Sequence, residues 1–417
     1  MRRALHNRVC LAATSLVAVL SAGVCAAQSN QVAVAAKAVG NPADAAIARA
    51  VDRLNASGLR QVESYGELAY RTYRDAHARA VALQRAVDGL IARPDEAALA
   101  EARAAWLSSR PSYGQSEAFR FYGGPIDAGK RDDFALAPVG LEGLINAWPL
   151  NEAYIDAAHG DAGSGLIQSK VAITRETLIH RNAHDDEADV TTGYHAIEFL
   201  LWGQDSNPDG PGDRKASDFT GDGTPARRRT YLKVATDLLV DNLKTLVEAW
   251  SPGQENYRAL MRKQKPETSI RNILTGIATL SGFEVASERI ATALDSGSQE
   301  DEQSCFSDST HLDILANVVG VQNVYFGRYG SWRGAGINQL VRRENPDLNR
   351  YLEQRLRTSV ELARQIDQPI DRALASPPGS ASRLKLEELV KALQVQADLF
   401  KQAASALGVP IALGDND

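Results

Sequence analysis

Apolar positions fall at helical spacing over long stretches of this chain. From Val62 to Leu90, the residues Val62, Tyr65, Leu68, Ala69, Tyr73, Ala76, Ala80, Leu83, Val87 and Leu90 recur three and four apart, which predicts one face of a long helix. Asp95, just after Pro94, opens a second helix expected to run through Trp106. Between Ser108 and Ser169 the period breaks into short pieces rich in Pro, Gly and aromatics, which reads as irregular structure laid over a helical core. Thr191 or Thr192 then caps a helix that begins with Gly193-Tyr194-His195-Ala196-Ile197-Glu198 and runs to Trp202, where Gly203 stops it. A loop dense in Gly, Pro and Asp, residues 204–225, separates it from a long helix over 227–250. Further helices are predicted at 267–294, 308–326, 346–374 and 381–407. No run alternates strictly or sustains β-branched density, so the fold class is all-α.

The expected architecture is two helical bundle domains in series with irregular, loop-rich insertions. The first covers 59–251 and carries the His195/Glu198 helix; the second covers 252–410. A chain of 417 residues is long enough for both. Residues 28–58, rich in Ala and small polar side chains, read as a flexible leader with room for one short helix.

The beginning of the chain changes the picture most. Arg2, Arg3 and Arg8 precede an apolar run from Val9 to Val24, followed by small residues at Cys25-Ala26-Ala27. That is the pattern of a secretory signal peptide, residues 1–27. The run is about 16 residues, short of the roughly 20 that span a bilayer, and no later stretch approaches that length. A lipid anchor on Cys25 is the competing reading, weakened by Val24 where a lipoprotein signal prefers a small residue. The expected location is therefore the periplasm or cell envelope. Removing the signal takes three Arg from 46 basic residues, leaving 43 against 52 acids, a formal −9 that argues against a nucleic-acid partner. Cys10 and Cys25 fall inside the signal, so Cys305 has no partner for an intrachain disulfide and reads as a buried thiol or a link to a second chain.

His195 and Glu198 stand at i and i+3, on one face of a helix, a spacing that suits two ligands of one metal. An imidazole with a carboxylate suits iron, zinc or manganese better than calcium. The apolar Phe199-Leu200-Leu201-Trp202 follows at once, and a carboxylate beside it has to be paired or coordinated. The peptidase patterns His-Glu-x-x-His and His-x-x-Glu-His are both absent, the latter failing at Phe199. Asp205 to Gly210 and Asp218 to Gly223 imitate the first half of a calcium loop, but the twelfth positions are Ala216 and Arg229, and Asx turns account for both. His77, His159, His180 and His184 are expected in solvated positions.

Several separated motifs, in order, resemble the imelysin-like family of bacterial envelope proteins, related to periplasmic iron-uptake components. They are Gly193-x-His195-x-x-Glu198 with its continuation to Asp205, Tyr113-Gly114-Gln115-Ser116-Glu117-Ala118-Phe119-Arg120, Asn146-Ala147-Trp148-Pro149-Leu150, and Cys305 to His311. The resemblance runs from about Tyr65 to Leu399. It implies two helical bundles with a site in the groove between them, built around the Gly-x-His-x-x-Glu helix, in a family that carries both a peptidase name and a link to iron. The loop after Gln204 lacks cysteines found there in some relatives.

Two side chains do not hold a transition metal tightly, so further ligands are expected among Glu117, Glu284, Asp308 and His311, with Glu288 sharing a face with Glu284 and Asp308 equally suited to cap the helix that follows it. Arg120 and Arg289 are expected to neutralise buried acids or hold a carboxylate ligand. The leading expectation is a divalent or trivalent metal site, iron before zinc, in a component of envelope iron uptake with iron-transport partners. The rivals are a zinc-type metallopeptidase in which Glu198 polarises a water, and a metal-free module that binds a peptide or small anion on Arg120 or Arg289.

Overall fold

A computed structural model of the chain describes residues 42–127, 140–207 and 210–413. The expected signal peptide with Cys25, most of the leader, and Pro208-Asp209 of the first calcium-like turn lie outside those residues.

Nine helices carry the framework among the described residues: α1 Pro42–Ser57, α2 Leu59–Ala92, α3 Glu96–Ser116, α4 Gly193–Trp202, α5 Thr224–Trp250, α6 Pro266–Thr279, α7 Thr310–Phe326, α8 Pro346–Arg364 and α9 Ala381–Ala406. A π-helical segment, Leu280–Ala291, continues α6 without a break. Each expected apolar residue of α2 from Val62 to Leu90 is buried. Asp95 caps α3 by accepting from Ala98 N at 2.9 Å. The helix does not stop at Trp106 but runs on to Ser116 through Pro111. Pro111 costs one backbone hydrogen bond, and burial of Ser109, Arg110, Tyr113 and Gly114 on the same helix outweighs it. The single helix expected at 346–374 is two pieces, because Pro369 keeps the residue before it out of the helical region; the chain turns after Arg364 and resumes as Asp371–Leu374. One element was not expected at all, a short hairpin pairing β1 Arg328–Tyr329 with β2 Trp332–Arg333. Two residues per strand leave no alternation to read.

The described residues from Ile47 to Leu413 form one compact unit with one contiguous apolar core. Its helices sort into two packing sets: α2 against α3 and α5 with α4 laid across, and the π segment, α8 and α9 with α7 against α8. The chain turns after α5, and the following helix, Tyr257–Lys263, packs back onto α2 and α5. The sets meet where α3 crosses α7. Glycine at both 114 and 320 makes that crossing close: a Cβ on Gly114 would lie 2.8 Å from the Ala316 Cβ, and one on Gly320 would strike the Gln115 carbonyl. Asn317 stitches the seam by donating to Gly114 O at 2.9 Å. No described helix is long and apolar enough to cross a membrane.

Candidate functional site

The Gly193 helix starts where only glycine fits. Its φ is +85°, and a Cβ there would sit 2.5 Å from the Ile145 carbonyl oxygen. This close approach fixes the first turn of α4 against the Asn146-Ala147-Trp148 segment. Thr192 precedes the helix and Gly203, φ +77°, ends it, as the sequence predicts, although the Thr192 side chain makes no capping bond. Every residue of α4 is buried.

His195 and Glu198 are both 0 % exposed, and Nδ1 of the imidazole lies 2.9 Å from Glu198 Oε2. Glu198 Oε1 accepts from the Ser307 backbone N–H at 3.0 Å and the Ser307 hydroxyl at 2.6 Å. His195 Nε2 has no hydrogen-bond partner. Burial, with Arg110 and Arg289 nearby, pushes the imidazole well below its ordinary pKa, and burial pushes the Glu198 carboxyl well above its own. Burial thus works against charge on either partner.

The other motifs close around this pair. Trp148 packs edge-on against the His195 ring at 5.2 Å, and Phe306 packs against both Trp148 and Phe199. Tyr113 stacks tilted on Tyr194 at 5.1 Å. Arg110, fully buried, lies over the Tyr194 ring at 4.9 Å, donates to Asp313 at 3.0 Å and to Asn146. Four segments distant in sequence thus meet at the first turns of α4.

Glu117 and Glu284, expected as further metal ligands, are instead taken by arginine. Arg289 grips Glu117 with two bonds, 2.7 and 3.0 Å, and Glu284 at 2.7 Å. Asn146 donates to Glu117 at 3.0 Å and Asn317 does so as well. Burial alone would raise the Glu117 carboxyl; the attraction and hydrogen bonds of Arg289, with Arg120 and Arg110, overcome it and hold it down at about 2. Arg120 faces Glu142 at 3.1 Å and Asp127 at 3.4 Å. Glu284 and Glu288 do not act as an i, i+4 pair: the wider π winding puts Glu284 beside Arg289, five residues on.

Beside Trp148 opens a cavity of about 460 Å³, whose walls carry Arg120 and Arg289 against Glu142, Glu187, Glu284, Glu288 and Asp301. A larger one of about 740 Å³ lies between α2 and the Tyr257–Lys263 helix and meets none of the four motifs.

Asp308 neither caps α7 nor joins His195. The cap residue is Ser309, without a side-chain bond, and Asp308, at φ +55°, sends its carboxylate to Asp205 and Asp371. Burial and mutual repulsion raise the Asp205 carboxyl to about 6 and that of Asp308 to about 7. His311 is half-buried, with Nδ1 unpartnered, and burial lowers its pKa. Cys305 is a buried free thiol, its pKa driven up by burial and then by Glu198 and Glu302. His159, expected to be solvated, is exposed but paired with Glu152 at 2.8 Å.

Sequence reasoning missed Arg110, Asp313, Ser307, Asp205 and Asp371 as contributors. Ser307 stood within a quoted motif and Asp205 at the end of another; Arg110 and Asp371 offered no signal beyond being charged residues within helical patterns.

The described geometry has relatives. The iron-regulated protein A of Synechococcus elongatus is 26% identical over 332 residues, 77% of this chain and 79% of that protein. Two solved structures share the fold. One is assigned as an iron-regulated protein A precursor from Parabacteroides distasonis, with TM-score 0.62, 18% identity, and coverage of 83% of this chain and 94% of that one. The other is an imelysin-like protein from Psychrobacter arcticum, with TM-score 0.59, 16% identity, and coverage of 85% and 98%. The imelysin family model matches residues 69–400, a span that takes in all four converging motifs, and the chain belongs to the imelysin family.

Proposed function

We propose that this protein is an exported component of envelope iron uptake or homeostasis that binds iron as cargo, with His195 as the anchoring ligand. The observation that carries this reading is the enclosed imidazole. Its Nδ1 is held by a carboxylate while Nε2 has no partner, which is how histidines that bind metals are oriented. Arrival of a cation reverses the electrostatics of the pair: the ion favours ionised Glu198 and a bare Nε2, and the displaced proton leaves to solvent. The adjoining cavity supports a cation over an anion, since its five carboxylates outnumber two guanidiniums and those guanidiniums are already bound to Glu117, Glu142 and Glu284. Remaining ligands come with the cargo, or from Glu198 exchanging Ser307 for the ion. The name of the Synechococcus relative places it in an iron context, which agrees with this choice of metal.

The zinc-peptidase alternative has less support. A catalytic zinc takes three protein ligands and an open position, and among the described residues no group of three His, Cys, Asp or Glu side chains forms around His195. The test is iron uptake by the purified mature protein beside His195→Ala and Glu198→Ala, followed by dialysis and elemental analysis. Loss of bound iron in both variants is expected. Equal iron in all three would sink the proposal.

A further inference from the structure

The Ser304–Ser309 loop faces two ways: Ser307 reaches Glu198, and the next residue, in the left-handed conformation, turns its carboxylate to the other side. There Asp308 meets Asp205, from the loop after α4, and Asp371, from the turn before α9, with one oxygen of each within 4.8 Å of the others. Asp205 is 9 % exposed and Asp371 5 %. One oxygen of Asp205, one of Asp308 and both of Asp371 lack any hydrogen-bond donor.

A second observation points to what is missing. Glu302, 0 % exposed, has no hydrogen-bond partner at ordinary distance on either carboxylate oxygen, and the groups it faces are Asp371 and the Thr310 hydroxyl. Buried carboxylates are ordinarily paired with a guanidinium, an ammonium or backbone N–H groups. The Glu117 cluster in this same molecule follows that rule, with an arginine and two asparagines on one carboxylate. Three clustered aspartates with Glu302 beside Asp371 do not. Asp205 accepts from Asn207 N at 3.0 Å and meets the Asp308 carboxyl, and the Gln299 amide binds the Asp205 carbonyl rather than its side chain. Arg372 adjoins the group and attracts Asp308.

We propose that Asp205, Asp308 and Asp371 hold a calcium ion, with Glu302 behind Asp371 adding to the acidic surroundings. The donors are all oxygen, which disfavours the softer zinc and copper, and a cluster of carboxylates suits the high coordination number and flexible geometry of calcium better than the strict octahedron of magnesium. The ion would tie three segments remote in sequence, the α4 exit loop, the 302–308 loop and the Asp371 turn. The 302–308 loop also carries Ser307, so the ion holds one wall of the His195 site in place. The reading does not depend on iron binding at His195.

The test uses the mature full chain stripped with a chelator, with radioactive calcium in equilibrium dialysis and thermal unfolding with and without calcium. Expected are one equivalent bound, a higher melting temperature on calcium addition, and affinity weakened roughly tenfold or more in Asp308→Asn and Asp371→Asn, because loss of ligand charge weakens such sites. His195→Ala retains calcium binding. Absence of uptake by wild type at about 1 mM free calcium, the weak end of protein calcium sites, overturns the proposal without any variant needing to fold. So does unchanged affinity in both folded variants, and either result reads the cluster as carboxyl groups sharing protons. Iron uptake that fails while calcium uptake succeeds separates this site from the one at His195.

Discussion

Replacing Glu117 by Gln keeps the side chain's size and removes its charge, leaving the Arg289 guanidinium buried opposite a neutral amide. The carboxyl is held at about 2 against an ordinary 4.5. A depression of that size corresponds to about 3 kcal/mol of stability at neutral pH. A separate route gives the same range, since removing one partner of a buried ion pair typically costs about 3 to 5 kcal/mol. The sign is that of a depressed carboxyl: its contribution is whole above about 4.5 and drains away as pH falls toward 2. Urea unfolding at neutral pH should therefore show Glu117→Gln less stable by about 3 kcal/mol, with the wild-type advantage shrinking through that acid window. Adding Arg289→Met should recover much of the loss, because a buried pair replaced by apolar groups is often neutral. A neutral-pH change below about 1 kcal/mol, the worth of a surface pair, would refute the argument that this pair is buried and unscreened. Parallel pH profiles for wild type and variant would refute the assignment of the charge to Glu117.

Two further substitutions probe the first turns of α4. Gly193→Ala meets a positive φ and the Ile145 carbonyl together; left-handed strain and overpacking, each about 1 to 3 kcal/mol, should combine to destabilise the protein and weaken iron binding, and a loss under about 1 kcal/mol by urea titration would show that the helix start can shift. Glu198→Gln copies the protonated carboxyl that burial favours. Since a raised folded pKa gives stability that is complete below the unfolded value and lost as pH rises through the folded one, the variant should match or exceed the wild type's melting temperature on the alkaline side while losing iron; a variant that melts well below wild type there would contradict an uncharged Glu198.

The long helices were legible because their burial is one-sided and repeats: the α2 stripe from Val62 to Leu90 is its packed face, and Asp95 and Gly203 mark ends for local reasons a sequence displays. What escaped was decided by partners far away in the chain. Nothing near Pro111 announces that packing will carry α3 past it. Glu284 and Glu288 looked like a pair because an α-helical period was assumed, and the π winding re-phases that face so that Glu284 meets Arg289. The Gly193 to Glu198 motif could be located, with His195 and Glu198 correctly placed on one face, but its charge neighbours could not. Glu117 belongs to Arg289 and Asp308 to Asp205 and Asp371, each through contacts more than sixty residues away along the chain.

The seam of α3 against α7 bears on how anything reaches the buried imidazole. Side chains between helices act as bearings, letting one rod slide or tilt on another by changing rotamers. At Gly320 there is none, and its backbone rests on that of Gln115, while Gly114 admits only the Ala316 methyl. The crossing therefore resists sliding, and any route to His195 is expected through the pieces that flank it, the Trp148 segment on one side and the Ser304–Ser309 loop on the other. Amide hydrogens along the seam should be among the last to exchange.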